Sequence, residues 1–140
     1  MLEDGDIIPC GDATFTAIET PGHTWGTVSF LYDVFDHWVR HRTITVGGLG
    51  LNAIEVPEQV EAFIDSVARI AGLAQDQGDP AMVHLTMHGF SANLEENRQI
   101  PAARKPGEAN VLLSAQSVLD EVSFLRDGAV RRLELERQKH

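Results

Sequence analysis

A chain of 140 residues with 43% hydrophobic and 23% charged side chains suits one globular domain, residues 1-140, and excludes both a pair of ordinary domains and wholesale disorder. Its formal net charge of −10 repels phosphate backbones and anionic lipid alike, so no nucleic acid and no membrane is expected as a partner. The N-terminal Met1-Leu2-Glu3-Asp4-Gly5-Asp6 is acidic and lacks the apolar run of a signal peptide, and no stretch has the length of a membrane span, so a cytoplasmic location is expected.

In chain order, Ile7-Ile8 is a short apolar run that Pro9 and Gly11 end. Between them stands Cys10, the one cysteine, which has no partner for an internal disulfide and is expected as a small buried hydrophobe. Ala13 to Thr20 is rich in β-branched residues and holds Phe15, which predicts a strand stopped by Pro21-Gly22. Thr27 to Val34 is the next strand. Asp36 to His41 is polar and reads as a hairpin connection, and Thr43-Ile44-Thr45-Val46 is a short strand closed by Gly47-Gly48.

The period then changes. Pro57 suits a first helical turn, and Val60, Phe63, Ile64, Val67 and Ala71 follow at spacings of three and four, the stripe of an amphipathic helix ending near Gly72 or Gly78. Ala81 to Met87 reads as a mostly apolar strand broken by Gly89. Ala92 to Ile100 has helical propensity, and Pro101 to Asn110 reads as a loop. Ser114 or Ser117 caps a last helix with Val118, Val122 and Leu125 on one face; Gly128 interrupts or ends it, and the charged tail from Glu134 is expected to fray. The order β-β-β-β-α-β-α predicts an α+β fold, with a mixed or antiparallel sheet and helices on one face.

Few residues point to chemistry. His23 follows a strand on a Pro-Gly turn, a stiff support that presents a side chain beyond the sheet edge. His84 and His88 are four apart; in a strand that separation is about 13 Å, too far for two ligands of one ion, so only one joins His23, and His88 at the strand end is better placed. His37 and His41 have the same spacing within the hairpin. Gly48-Leu49-Gly50-Leu51-Asn52-Ala53 fits the G-x-G-x-x-A dinucleotide pattern, but Glu55-Val56-Pro57 delays the helix that must meet the pyrophosphate and no basic residue lies nearby, which favours a tight loop. No carboxylate is singled out as an acid or base by spacing.

Asp4-Gly5-Asp6-Ile7-Ile8, Phe15, Thr20-Pro21-Gly22-His23-Thr24 and Gly26-Thr27-Val28-Ser29 together resemble the metallo-β-lactamase superfamily, whose D-G-D-x-I…T-P-G-H-T-x-G-x-x-S pattern includes a metal-binding histidine. Gly47 to Asn52 is similar to the G-G-x-G-F-N stretch of a subgroup of these hydrolases, and Ala102 to Glu108 is similar to the loop before that subgroup's final helix. The resemblance spans roughly residues 3 to 125 and corresponds to the second half of the family's domain. It implies part of an αββα metallo-β-lactamase-like sandwich, with His23 and His88 as metal ligands and zinc as the cofactor. The family's H-x-H-x-D-H motif is absent from this chain, and Gly47 or Gly48 stands where the family usually has a bridging Asp. The implied activity is metal-dependent hydrolysis of an ester, thioester or lactam-type bond in a small-molecule substrate, with the chain alone inactive. A missing N-terminal half or a homodimer is the implied protein partner. The alternative is a non-catalytic truncated homologue that acts as a protein-binding or dimerising module through an uncovered sheet face.

Overall fold

The computed structural model describes residues 2–88 and 103–138. Among these residues, five strands form one sheet in the order β1-β2-β3-β4-β5. The strands are β1 (Ile7–Cys10), β2 (Ala13–Glu19), β3 (Val28–Asp36), β4 (Val39–Thr45) and β5 (Val83–His84). The first four pair antiparallel in succession, and β5 returns parallel to β4 after helix α1 (Pro57–Ala74). A second helix, α2 (Ala115–Arg137), follows. The mixed sheet of an α+β fold, with helices on one face, is as the sequence predicts.

The register decides which side chains share a face. Thr16 lies opposite Leu31, and Leu31 opposite Ile44, so these point to one side. Ile18, Leu31 and Ile44 join Val60, Phe63, Val67 and Ile70 of α1 and Val118, Val122 and Ala129 of α2 in a single core. Full burial of side chains of this size contributes about 1.5–3 kcal/mol each, so this layer carries most of the fold's stability. The residues of opposite parity are outside that core. Phe15 sits directly opposite Tyr32, with ring centroids 4.7 Å apart, and meets Phe30 edge-on at 6.5 Å. Phe15, Phe30, Tyr32 and Val34 are only partly buried, and among the described residues no helix of the core covers them.

Several local expectations are corrected. The hairpin connection is two residues rather than six: β3 runs to Asp36, β4 starts at Val39, and His37 and Trp38 turn with φ of 49° and 70°. Positive φ at both central residues matches the right-handed twist of the flanking strands, which lets them pair to the very end. Cys10 is exposed, because it ends β1, the edge strand. The last helix passes through Gly128 without a break, since Ala129 and Leu133 beyond it are buried against the core. It stays helical to Arg137, where Arg132 pairs with Glu136 and Arg137 with Glu61 of α1. β5 is reduced to Val83–His84, although backbone bonds from Met82 to Arg42 and from Leu85 to Ile44 extend its docking. The expected helix at Ala92 to Ile100 lies outside the described residues. Among the described residues, no helix is long and apolar enough to cross a membrane.

Candidate metal centre and substrate cleft

His23 stands on the turn between β2 and β3, and its neighbours hold that turn from several sides. The Thr20 and Ser29 hydroxyls are hydrogen-bonded at 2.7 Å in a buried position, and the Ser29 oxygen also accepts the Gly47 N–H at 3.1 Å. This ties the end of β2 to the loop after β4. The Ser66 hydroxyl of α1 donates to the Pro21 carbonyl at 2.7 Å. Gly22 has φ of 137°, and a Cβ there would overlap the Phe63 backbone, so the missing side chain lets the turn rest directly on α1. The Thr24 N–H donates to the Thr27 hydroxyl at 3.0 Å and closes the turn. The helix start is itself anchored, with the Gln59 side-chain oxygen accepting the Glu55 N–H at 2.8 Å.

The His23 imidazole is oriented by the glycine-rich loop. Its Nδ1 lies 2.6 Å from the Gly50 carbonyl oxygen. A carbonyl only accepts, so Nδ1 carries the proton and donates, and in the neutral ring Nε2 keeps its lone pair for another partner. Metal-ligating histidines take this form when a backbone carbonyl holds the other ring nitrogen. Gly48 makes the packing possible: it has φ of 63°, and a Cβ there would lie 2.5 Å from His23 Cβ and 2.8 Å from its Cδ2. The loop Gly48 to Ala53 therefore cradles an imidazole, while α1 begins only at Pro57, too late to serve a pyrophosphate. The same contacts exclude a bridging carboxylate here. A side chain on residue 47 would overlap the Val28 carbonyl, and one on residue 48 would strike His23.

His88 lies four residues past His84, beyond the end of β5, with its N–H donating to the Thr86 hydroxyl at 3.2 Å. His23 and His88 line one cleft of about 500 Å³. Leu49, Met87 and Phe124 contribute apolar wall, and Asn52 and Glu121 are the other polar side chains among its described lining residues. Burial pushes the Glu121 carboxyl above its ordinary pKa. Sequence spacing did not single out Glu121. Its only mark is its place beside the apolar stripe of Val118, Val122 and Leu125, where a carboxylate one position off the core reaches the rim of the buried layer.

The remaining histidines lie elsewhere. His84 pairs in register with Ile44 on the helix side of the sheet, and burial pushes its imidazole down to about 4. Its Nε2 is buried with no hydrogen-bond partner among the described residues. His37 sits in the hairpin turn, 3.0 Å from both Asp36 and Arg104, and His41 lies within β4. The Arg104 guanidinium donates twice to Asp36, at 2.8 and 2.6 Å, and holds that carboxyl well below the usual carboxylate range.

A catalytic zinc takes three protein ligands and a water. Among the described residues, no group of three or more His, Cys, Asp or Glu side chains is placed to hold a metal ion. Two imidazoles fit part of such a donor set and fall short of the whole. No reaction step is assigned to a metal on this chain alone.

No family model matches the sequence, and no curated protein matches it. Solved structures do. The chain is similar to BJP-1, a subclass B3 metallo-beta-lactamase of Bradyrhizobium japonicum, with TM-score 0.77 and 19% identity over 99% of this chain and 51% of that one. It is similar to native FEZ-1 from Legionella gormanii, with TM-score 0.77 and 18% identity over 97% of this chain and 51% of that one. A Cronobacter sakazakii metallo-beta-lactamase gives TM-score 0.76 and 22% identity over 97% of this chain and 47% of that one. The chain thus spans about half the length of the structures it matches, and it has the fold of that half of a subclass B3 metallo-beta-lactamase.

Proposed function

We propose that this chain is one half of a metal-dependent hydrolase of the metallo-β-lactamase fold, with His23 and His88 as its contribution to the metal site. The observation that carries the reading is the Nδ1–H bond from His23 to Gly50, which leaves Nε2 available in the cleft that His88 also lines. Zinc, when bound with a full ligand set, would supply a water of lowered pKa for attack on an ester, thioester or lactam-type carbonyl. The remaining ligands come from a complementary half bearing the H-x-H-x-D-H motif. The match to about half of each solved structure supports that division, and the chain alone is inactive.

A second reading, a non-catalytic homologue that binds a protein or a second copy, is favoured by one observation. Phe15, Phe30, Tyr32 and Val34 form an apolar sheet face with no helix over it among the described residues. The two readings separate in one assay, with zinc and reporter esters, thioesters and lactams. Hydrolysis that appears only when the chain is combined with a polypeptide carrying the H-x-H-x-D-H half supports the first. A stable complex with zinc present and no hydrolysis supports the second.

A further inference from the structure

We propose that Glu121 makes the cleft lined by His23 and His88 selective for small molecules that carry a cationic or hydrogen-bond-donating group on an apolar body, and unfavourable to those that carry a carboxylate. This rests on the same cleft as the hydrolase reading and names the substrate class it would take.

Glu121 lies on α2, next to the buried Val122 and one turn before Leu125, which also lines the cleft. Its carboxylate has no hydrogen-bond or ion-pair partner among the described residues. The nearby acid Asp120 does have one, accepting from Gln116 at 2.8 Å. Three of the four arginines on the same helix are engaged away from Glu121. Arg126 lines a different cavity, Arg132 pairs with Glu136, and Arg137 pairs with Glu61. Among its described lining residues, the cleft has no Lys or Arg. A partly desolvated carboxylate without a counter-ion is costly, and a ligand ammonium relieves that cost whereas a ligand carboxylate adds to it. The formal net charge of −10 acts in the same direction at longer range. Leu49, Met87, Phe124 and Leu125 supply the apolar surface for an alkyl or acyl body.

The test uses the metal-free chain at pH 8 and three probes of equal length: hexylammonium, hexanol and hexanoate. Binding is followed by the methyl resonance of Met87. Hexylammonium is expected to bind at least about tenfold more tightly than hexanoate, and Glu121→Gln is expected to reduce that ratio to within about threefold. Glu121→Asp, which keeps the charge, retains the preference and controls for folding. Equal or tighter binding of hexanoate, an unchanged ratio in Glu121→Gln, or no Met87 response to any probe overturns the proposal. Because no metal is present, failure here leaves the ligand roles of His23 and His88 standing, and failure of zinc binding leaves this preference standing.

Discussion

The His23 imidazole and the Gly50 carbonyl, 27 residues apart in sequence, form a hydrogen bond of 2.6 Å that selects the Nδ1–H tautomer. The bond joins the β2–β3 turn to the loop after β4, two segments that also share the Ser29 hydroxyl bonded to Gly47. The candidate ligand is therefore held by backbone groups on rigid supports, the arrangement a metal centre requires.

Gly48 is the position where this support is most easily broken. Gly48→Ala places a Cβ in the left-handed region, against the His23 side chain. A loss of about 1–2 kcal/mol is expected from the backbone alone, with weaker zinc binding as His23 moves. Gly128→Ala, in open space within α2, is the contrast: it is expected to gain about 0.5–1 kcal/mol. Urea unfolding of both variants checks the pair. Equal stability of Gly48→Ala and the parent would contradict the cradle.

His84 sets an acid limit on stability. The unfolded chain protonates this imidazole near its ordinary 6.5, but burial holds the folded value at about 4. Between these values the unfolded state binds more protons, so the stabilisation is complete above 6.5 and lost as pH falls towards 4. The loss is about 3 kcal/mol at most. Unfolding free energies at pH 7.5, 5.5 and 4.5 are expected to fall more steeply for the parent than for His84→Gln. Parallel profiles would exclude His84 as the source.

The loop from residue 104 to 114 is pinned to the β3–β4 hairpin through Asp36, which accepts two bonds from Arg104 and one from Asn110 at 3.2 Å. Asp36→Ala releases both donors. Trypsin cleavage after Arg104 is expected to be at least about threefold faster in that variant, because the segment opens locally at lower cost. Unchanged cleavage would mean that other contacts hold the loop.

Much of this was legible in the sequence, for identifiable reasons. β-branched density around Phe15 and the three-four spacing from Val60 to Ala71 marked β2 and α1, and Thr20-Pro21-Gly22-His23-Thr24 marked the turn. The tight hairpin at His37-Trp38 was not legible, because neither residue is the Gly or Asn that usually signals positive φ. Helix continuation through Gly128 was hidden as well: tertiary burial of Ala129 and Leu133 overrides a local breaker. Glu121 was one acid among many until the fold placed it in the cleft. Gly48-Leu49-Gly50 was legible as a loop, but its packing on His23 depends on a contact distant in sequence.

The most direct measurement is zinc stoichiometry. The chain is brought to equilibrium dialysis against zinc at stated free concentrations, and ions per chain are counted beside His23→Ala, His88→Ala and His84→Ala. One weakly held ion per chain, released by either of the first two substitutions and unaffected by the third, is the expected result. Zinc retention that is indifferent to both His23 and His88, or no zinc binding by the parent chain at any concentration up to millimolar, would contradict their role as ligands.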